Sequence, residues 1–185
     1  NLLVRDAGVR GIVVNMTEGF KDVVWQDEAK ASVGSGMKLA ELVIQCRDKG
    51  LSGLEFAVNI PGTVGGALAM NAGAYGGEMK DVVEGVEVIG RKGVKGFLAK
   101  DKLEFSYRKA ELPKYSAVTV VNMSFTLSTP DAVREKMREF AEKRKANAKV
   151  QYPNAGSVFK NPEGLYAGRL IEEVGLKGEK IGQAQ

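Results

Sequence analysis

Short apolar runs separated by polar or glycine-rich turns make up most of the chain up to residue 127. Each run is a few residues long, is rich in β-branched or aromatic side chains, and is bounded by residues that end strands. The runs predicted to be strands cover residues 11–15, 23–25, 31–33, 82–89, 94–98 and 117–127. The last run carries apolar residues on both faces, so we expect it to be partly buried on both sides.

Three other segments carry apolar residues at helical spacing. In the first, the apolar face includes Cys46, which we therefore expect in the core, and Gly50 follows as a stop signal. Thr129 and Pro130 suit the cap and the first position of the second segment. The predicted helices cover residues 37–49, 130–146 and 165–174. Strands interrupted by separate helices predict an α+β fold.

The composition is that of a globular protein, and it limits the available chemistry. Of 185 residues, 44% are hydrophobic and 27% charged, and a net charge of +4 is too small to indicate a nucleic-acid partner. With no His and one Cys, the chain excludes a Ser-His-Asp nucleophile, a thiolate metal cluster and an intrachain disulfide, and we expect no metal site. No apolar run approaches the roughly 20 residues of a membrane span.

Glycine is the residue in excess, with 23 in the chain, and much of that excess lies in a weakly charged stretch. The first half of this stretch, residues 60–66, reads Ile-Pro-Gly-Thr-Val-Gly-Gly. A turn at Pro61 and Gly62 would let the backbone approach a ligand closely, and amides freed at a helix start could bind an anion. Tight packing of a turn in the core explains the same pattern equally well. Neither a P-loop nor a dinucleotide-binding glycine motif is present.

The second half, residues 70–77, reads Met-Asn-Ala-Gly-Ala-Tyr-Gly-Gly. Its small residues leave room for a flat ligand or for another backbone. Close packing of a helix on a strand is the alternative, and Asn71 would then be a turn former.

Two further segments carry groups suited to anion binding and proton transfer. Tyr107 and Arg108 are adjacent, and an arginine can stack on a ring or hold a carboxylate through two hydrogen bonds, although a surface arginine beside a half-buried tyrosine is commoner. Ser157, Lys160 and Asn161 place a hydroxyl, a cation and an amide within one short loop. The hydroxyl could donate a proton, but an ordinary polar loop also explains this segment.

Taken in order, these segments resemble the UDP-N-acetylenolpyruvoylglucosamine reductase family, the MurB flavoenzymes of bacterial cell-wall precursor synthesis. The resemblance covers essentially the whole chain, and the ordered set of motifs is specific although each motif alone is weak. It is carried by residues 1–6, 53–56, 60–75, 107–108, 156–162, 167–172 and 175–178.

The resemblance implies a two-part FAD-binding domain of the vanillyl-alcohol oxidase (PCMH) type over residues 1–128. A connector helix and the start of a smaller α+β substrate-binding domain would follow over residues 129–185. FAD would be bound without a covalent link. The residues that match the family's flavin contacts are Asn1, Leu2, Pro61, Gly62, Thr63, Gly65, Gly66, Asn71 and Gly73.

The activity that the resemblance implies is the NADPH-dependent reduction of UDP-N-acetylglucosamine enolpyruvate to UDP-N-acetylmuramate. NADPH would reduce the flavin, whose N5 would then pass hydride to the enolpyruvyl group. Arg108 matches the arginine that polarises the substrate carboxylate, and Ser157 matches the proton donor. The candidates for contacts with the substrate are Tyr107, Lys145, Lys160 and Asn161.

The resemblance also implies a chain that is incomplete at both ends. The family's third catalytic group, a glutamate near its C-terminus, has no match here, and the short segment after Arg108 corresponds to the family's shorter second type. We expect a cytoplasmic monomer that binds NADPH and a UDP-sugar but neither nucleic acid nor a membrane. The alternative is a FAD-dependent oxidase, or an inactive flavin- or nucleotide-binding module, of the same fold.

Overall fold

Short strands and five helices make up the chain in the computed structural model, which describes residues 4–114, 116–147 and 157–182. The strands are β1 (Val23–Trp25), β2 (Lys30–Gly34), β3 (Leu51–Ser52), β4 (Gly73–Ala74), β5 (Gly77–Glu78), β6 (Val83–Ile89), β7 (Lys95–Ala99), β8 (Phe105–Ser106), β9 (Lys109–Ala110), β10 (Ala117–Ser124) and β11 (Thr126–Leu127). The helices are α1 (Leu39–Asp48), α2 (Val64–Ala69), α3 (Met79–Val82), α4 (Pro130–Asn147) and α5 (Ala167–Glu173). Single turns of 3₁₀ helix lie at Glu55–Ala57, Arg91–Gly93 and Lys100–Lys102.

A five-stranded antiparallel sheet, ordered β1, β2, β10, β6 and β7, carries the core. Its register places Val121 of β10 opposite Val33 of β2 on one side and Val86 of β6 on the other. All three side chains are fully buried, because successive residues of a strand point to opposite faces and this face packs against the helices. The apolar face of α1, with Leu39 and Leu42, belongs to the same core.

Most of the predicted strands are confirmed, but the prediction for residues 11–15 is wrong. This segment has no strand, and Ile12, Val13 and Val14 are all largely exposed. A strand needs a partner for its backbone hydrogen bonds, and no other described segment pairs with this one. The predicted strand 117–127 is divided into β10 and β11, and Leu127 on β11 is exposed rather than buried.

The three predicted helices are confirmed as α1, α4 and α5, because their local signals work as expected. Gly50 adopts φ 68° immediately after the C-cap residue of α1, and the Thr129 hydroxyl accepts a hydrogen bond from the Ala132 amide at the start of α4. Cys46 is 1% exposed, and burial raises the pKa of its thiol to about 12. None of the described helices combines the length and apolarity that a membrane span needs.

Contacts divide the chain into two compact units, Asn1–Lys149 and Val150–Gln185. The helix α4, predicted as a connector from residue 129, belongs to the first unit, so the predicted division after residue 128 does not coincide with this one. The ammonium nitrogen of Lys136 in α4 lies 3.9 Å from a carboxylate oxygen of the buried Glu55. The same carboxylate accepts hydrogen bonds from the Ser52 hydroxyl and the Gly53 amide. The assignment of one domain to flavin and another to substrate stays a prediction.

Candidate functional site

The turn before α2 presents the first glycine-rich stretch at the surface. Pro61 and Gly62 are exposed, and Gly62 adopts φ 119°, a backbone conformation that a side chain would strain. Thr63 is the N-cap of α2, and its hydroxyl accepts a hydrogen bond from the Gly66 amide. The sequence Pro-Gly-Thr therefore produces a sharp turn followed directly by a capped helix start.

The amides at the start of α2 are not free, contrary to the anion-site hypothesis. The Val64 amide donates to the Met37 carbonyl at 2.9 Å, and the Gly65 amide donates to the Ser35 carbonyl at 2.8 Å. A Cβ on Gly65 would lie 2.8 Å from the Ser35 side chain, so this glycine is required by packing inside the protein.

The outer side of the same stretch is open. A Cβ on Gly62 would meet no heavy atom within 4 Å, and one on Gly66 would meet only the Thr63 hydroxyl at 3.5 Å. Beneath it, the hydroxyl of Ser35 is buried and has no hydrogen-bond partner in the part of the chain that the structure describes. An open glycine backbone beside a buried polar group without a partner fits a flat polar ligand such as a flavin.

The second glycine-rich stretch forms a tight hairpin from β4 and β5. Its two turn residues, Tyr75 and Gly76, adopt φ 54° and 86°, as a two-residue turn of this handedness requires. The strand glycines of this hairpin are packed against other protein atoms. A Cβ on Gly73 would lie 2.6 Å from the Gly77 carbonyl oxygen, and a Cβ on Gly77 would lie 2.6 Å from the Phe56 ring.

The tip of this hairpin is attached to α4. The Tyr75 ring stacks on Phe140, with 4.9 Å between centroids and 14° between planes. The stack holds the hairpin against the helix and leaves Tyr75 38% exposed.

Asn71 is fully buried where α2 ends, and its side chain bonds to protein groups on every side. Its amide nitrogen donates to the Glu78 carboxylate at 3.0 Å and to the Ser106 carbonyl at 3.2 Å. Its oxygen accepts from the Lys80 amide at 3.1 Å. The structure therefore uses this side chain to join three segments, and its assignment as a flavin contact stays a prediction.

Arg108 occupies the two-residue turn between β8 and β9 and reaches the second glycine stretch. Its backbone adopts φ 58°, which is uncommon for a residue other than glycine. One guanidinium nitrogen donates to the Gly73 carbonyl at 2.9 Å, and the guanidinium lies 5.0 Å from the Tyr107 ring centroid. The structure thus brings together Tyr107, Arg108, Asn71 and Gly73, which the sequence indicated as separate segments.

Glu78 is a charged member of this group that the sequence did not indicate. Lys80 binds its carboxylate at 2.8 Å, and the pKa of that carboxyl is lowered by this hydrogen bond first, then by the Asn71 amide and by the positive charges of Lys80 and Arg108. In the sequence, the one feature that could have indicated Glu78 is its position three residues after Tyr75. In the structure, it pairs with Gly73 across the hairpin.

Lys145 lies on α4 apart from this group. It is exposed and lines a shallow cleft of about 470 Å³ with Asn59, Arg138 and Arg144. The three cations make the cleft suited to anions, although Glu142 also lines it.

A further groove of about 720 Å³ is lined by no predicted site residue. It lies on the sheet face away from the core, where Gln26 donates to the Ser32 hydroxyl and that hydroxyl donates to the Asn122 side chain.

The remaining predicted site residues lie in the second unit or outside the described residues. Ser157 and Lys160 are exposed. Asn161 is exposed too, and its side-chain oxygen accepts a hydrogen bond from the Ala167 amide at 3.0 Å, which supports the start of α5. Asn1 and Leu2 lie outside the described residues.

Comparison with known proteins matches both parts of the chain to flavoenzyme families. Residues 1–94 match the FAD binding domain family, and residues 148–185 match the C-terminal domain of UDP-N-acetylenolpyruvoylglucosamine reductase. The full chain is 47% identical to UDP-N-acetylenolpyruvoylglucosamine reductase 2 of Symbiobacterium thermophilum and 43% identical to the UDP-N-acetylenolpyruvoylglucosamine reductase of Geobacter metallireducens. It covers 60% and 61% of those proteins, so it spans about three fifths of their length.

A solved structure agrees with this result. The crystal structure of UDP-N-acetylenolpyruvylglucosamine reductase (MurB) from Thermus caldophilus matches with a TM-score of 0.76 and 40% sequence identity, over 85% of this chain and 58% of that one. The predicted α+β FAD-binding fold is thereby confirmed.

Proposed function

We propose that the complete protein reduces UDP-N-acetylglucosamine enolpyruvate to UDP-N-acetylmuramate. The reason is that this chain belongs to the UDP-N-acetylenolpyruvoylglucosamine reductase family. The observation that carries the proposal is the placement of Arg108, whose guanidinium is bonded to the carbonyl of Gly73 in the second glycine-rich stretch. The proposal includes NADPH as reductant, a UDP-sugar as substrate, the cytoplasm as compartment and a monomer as the working unit.

FAD would be held without a covalent link by the exposed side of the first glycine stretch. Pro61, Gly62, Thr63 and Gly66 offer backbone that a flat ring system could approach, and Gly65 keeps that backbone against Ser35. The unpaired hydroxyl of Ser35 supports the fit, because a buried polar group gains from a hydrogen-bond partner. Asn1, Leu2 and Gly73 complete the proposed set, and Asn71, whose side chain is bonded to protein groups, would support it from within the protein. Bound FAD supplies hydride transfer, which no amino-acid side chain provides.

Arg108 would bind the substrate carboxylate and stabilise the charge that develops beside it. A guanidinium presents five N–H donors in a planar fork, and the described contacts use one of them, toward Gly73. The others can hold both oxygens of a carboxylate. The bond to Gly73 and the contact with Tyr107 orient the fork before substrate arrives, so little reorganisation accompanies the reaction.

Ser157 would donate the proton that completes the reduction. A hydroxyl is a weak acid, so a neighbouring cation is needed to make its proton available, and Lys160 is the candidate in the same loop. Asn161, Tyr107 and Lys145 would contact the nucleotide-sugar, and the cationic cleft around Lys145 suits its phosphates.

Separate measurement of the two half-reactions tests this proposal in the full-length protein. In a Ser157→Ala variant, NADPH should still bleach the flavin at the normal rate, because that step needs no proton from Ser157. Re-oxidation by the enolpyruvyl substrate should be slower by about 10²–10⁴-fold, as is typical when a positioned acid is lost. Ser128→Ala, another exposed serine, is the control and should leave both rates unchanged.

Three outcomes would contradict the proposal. Normal re-oxidation of Ser157→Ala would remove Ser157 from the reaction. NADPH consumption that does not depend on the sugar substrate would favour an oxidase of the same fold. Purified full-length protein without flavin would contradict the cofactor assignment itself.

A further inference from the structure

The turn that carries Arg108 has little structure of its own. It joins β8 and β9, each of two residues, and an isolated hairpin of this size is marginal in water. The positive φ of Arg108 adds backbone strain that the surrounding structure must sustain. Something outside the hairpin must therefore hold the guanidinium in one place.

Asn71 supplies that support from the buried side. Its amide nitrogen donates to the carbonyl of Ser106, the residue two positions before Arg108. The same nitrogen donates to Glu78, which pairs with Gly73 across the β4–β5 hairpin. Gly73 in turn accepts the hydrogen bond from Arg108. Asn71 thus connects the two hairpins that meet at the guanidinium.

The polar groups of Asn71 are already occupied by the protein. Both donors of its amide have acceptors, its oxygen accepts from the Lys80 amide, and the side chain is fully buried. If the amide turned toward a ligand, the Ser106 carbonyl and the Glu78 carboxylate would lose a buried donor. A role inside the protein therefore accounts for this side chain better than a direct ligand contact.

We propose that Asn71 is a positioning residue for Arg108, acting by holding the β8–β9 turn against the β4–β5 hairpin. The proposal rests on the function proposed above, in which Arg108 binds the substrate carboxylate. A guanidinium displaced by about 1 Å would still be charged but would lose its alignment, which typically reduces a rate by about 10²-fold.

The charges around Asn71 agree with this role. The Glu78 carboxylate is held between Asn71 and Lys80, and its pKa is lowered partly by the positive charge of Arg108. An ionised carboxylate at Glu78, opposite Gly73 in the hairpin, favours a guanidinium held on the Gly73 side of the turn.

The decisive experiment compares Asn71→Ser, Arg108→Ala and the double variant in the full-length flavoprotein. Asn71→Ser should slow re-oxidation by the enolpyruvyl substrate by about 10²-fold, while flavin content and the rate of reduction by NADPH stay within a factor of about two. In the Arg108→Ala background, Asn71→Ser should have no further effect, because the group that it positions is gone. Asn71→Gly removes the same side chain and tolerates the positive φ of this position, so it replaces the serine variant if that one does not fold.

A second measurement does not depend on turnover. Hydrogen–deuterium exchange of the oxidised protein should be faster in residues 105–110 of Asn71→Ser than in the wild type, with the core strand β10 unchanged. Asn122→Ser is the matched control, since Asn122 is a half-buried asparagine bonded to Ser32 on the far sheet face. It should leave residues 105–110 and both half-reactions unchanged.

Several results would overturn the positioning role. Multiplicative effects of Asn71→Ser and Arg108→Ala would show that Asn71 acts independently of Arg108. Loss of flavin with normal half-reactions in the remaining flavoprotein would make Asn71 a cofactor contact. If Arg108→Ala alone re-oxidises normally, the proposed function fails at Arg108, and the exchange measurement still decides whether Asn71 holds the turn.

Discussion

The two glycine-rich stretches have similar composition, but two of the three glycines of the first, Gly62 and Gly66, are open to the outside, whereas Gly73 and Gly77 of the second are packed. In the first, Gly62 and Gly66 face outward, where a Cβ would meet at most one atom at ordinary contact distance. In the second, Gly73 and Gly77 face inward, where a Cβ would overlap the hairpin backbone or the Phe56 ring. One stretch therefore leaves backbone open that a ligand could approach, and the other closes a hairpin whose Gly73 carbonyl accepts a hydrogen bond from Arg108.

The difference shows that a lack of side chains has two physical uses at one site. An outward glycine leaves space that a ligand can fill, so its substitution should affect binding and leave stability nearly unchanged. An inward glycine allows two segments of backbone to approach, so its substitution should affect stability first. Each expectation can be tested in the full-length protein.

The largest effect is expected from Arg108→Lys, which tests whether the second stretch acts through the guanidinium. Lysine keeps the positive charge but lacks the planar fork that can bond Gly73 and a carboxylate together. Re-oxidation by the enolpyruvyl substrate should be about 10²–10³-fold slower, measured by rapid-mixing absorbance. Near-normal turnover would show that charge alone is sufficient and that the contact with Gly73 is incidental.

Gly77→Ala tests the inward orientation. The added methyl group would lie 2.6 Å from the buried Phe56 ring, so the hairpin or the ring must move. We expect the free energy of unfolding to fall by about 1–3 kcal/mol in urea titrations, as for other overpacked sites. Gly66→Ala is the control in the outward stretch and should not destabilise the protein, since alanine favours a helix over glycine. Equal destabilisation by both variants would contradict the comparison.

Gly66→Val tests the outward orientation. The side chain would occupy the open side of the stretch, and flavin affinity should weaken about tenfold, or about 1.4 kcal/mol. Flavin per mole of folded protein and titration of the apoprotein measure this change. Gly168→Val is the matched control for Gly66→Val. Gly168 is also exposed, lies near the start of a short helix, and has nothing near its Cβ position. Unchanged affinity in Gly66→Val would mean that the first stretch only packs.

The smallest effect concerns the pH dependence of stability at Glu78, which closes the second stretch. Because its pKa is lowered in the folded protein, the carboxylate stabilises the fold above its unfolded pKa of about 4.3, and this contribution disappears as pH falls through the folded pKa. Glu78→Gln should therefore lose stability less steeply below about pH 4.3 than the wild type. Exposed Glu28→Gln is the control, and an identical acid profile for both variants would contradict the prediction.

Local patterns were sufficient for the elements that carry their own signals. The helical spacing that includes Cys46, with Gly50 after it, predicted α1, and Thr129 with Pro130 predicted α4. Such features depend on interactions within a few residues. The run at residues 11–15 has the composition of a strand, but its side chains are exposed, because strand formation depends on a partner that local sequence cannot supply.

The same distinction between local and long-range information applies to the candidate site. The residue types of the site, including the glycine turns, Asn71 and Arg108, can be taken directly from the sequence, and the resemblance to the family adds their order. The folded chain is needed to show that Gly65 packs on Ser35, that Gly66 faces outward, and that Asn71 joins Ser106 to Glu78. Whether a glycine or an amide faces a ligand or the protein is decided by segments far away along the chain, since Asn71 and Ser106 are 35 residues apart and meet only when the chain folds.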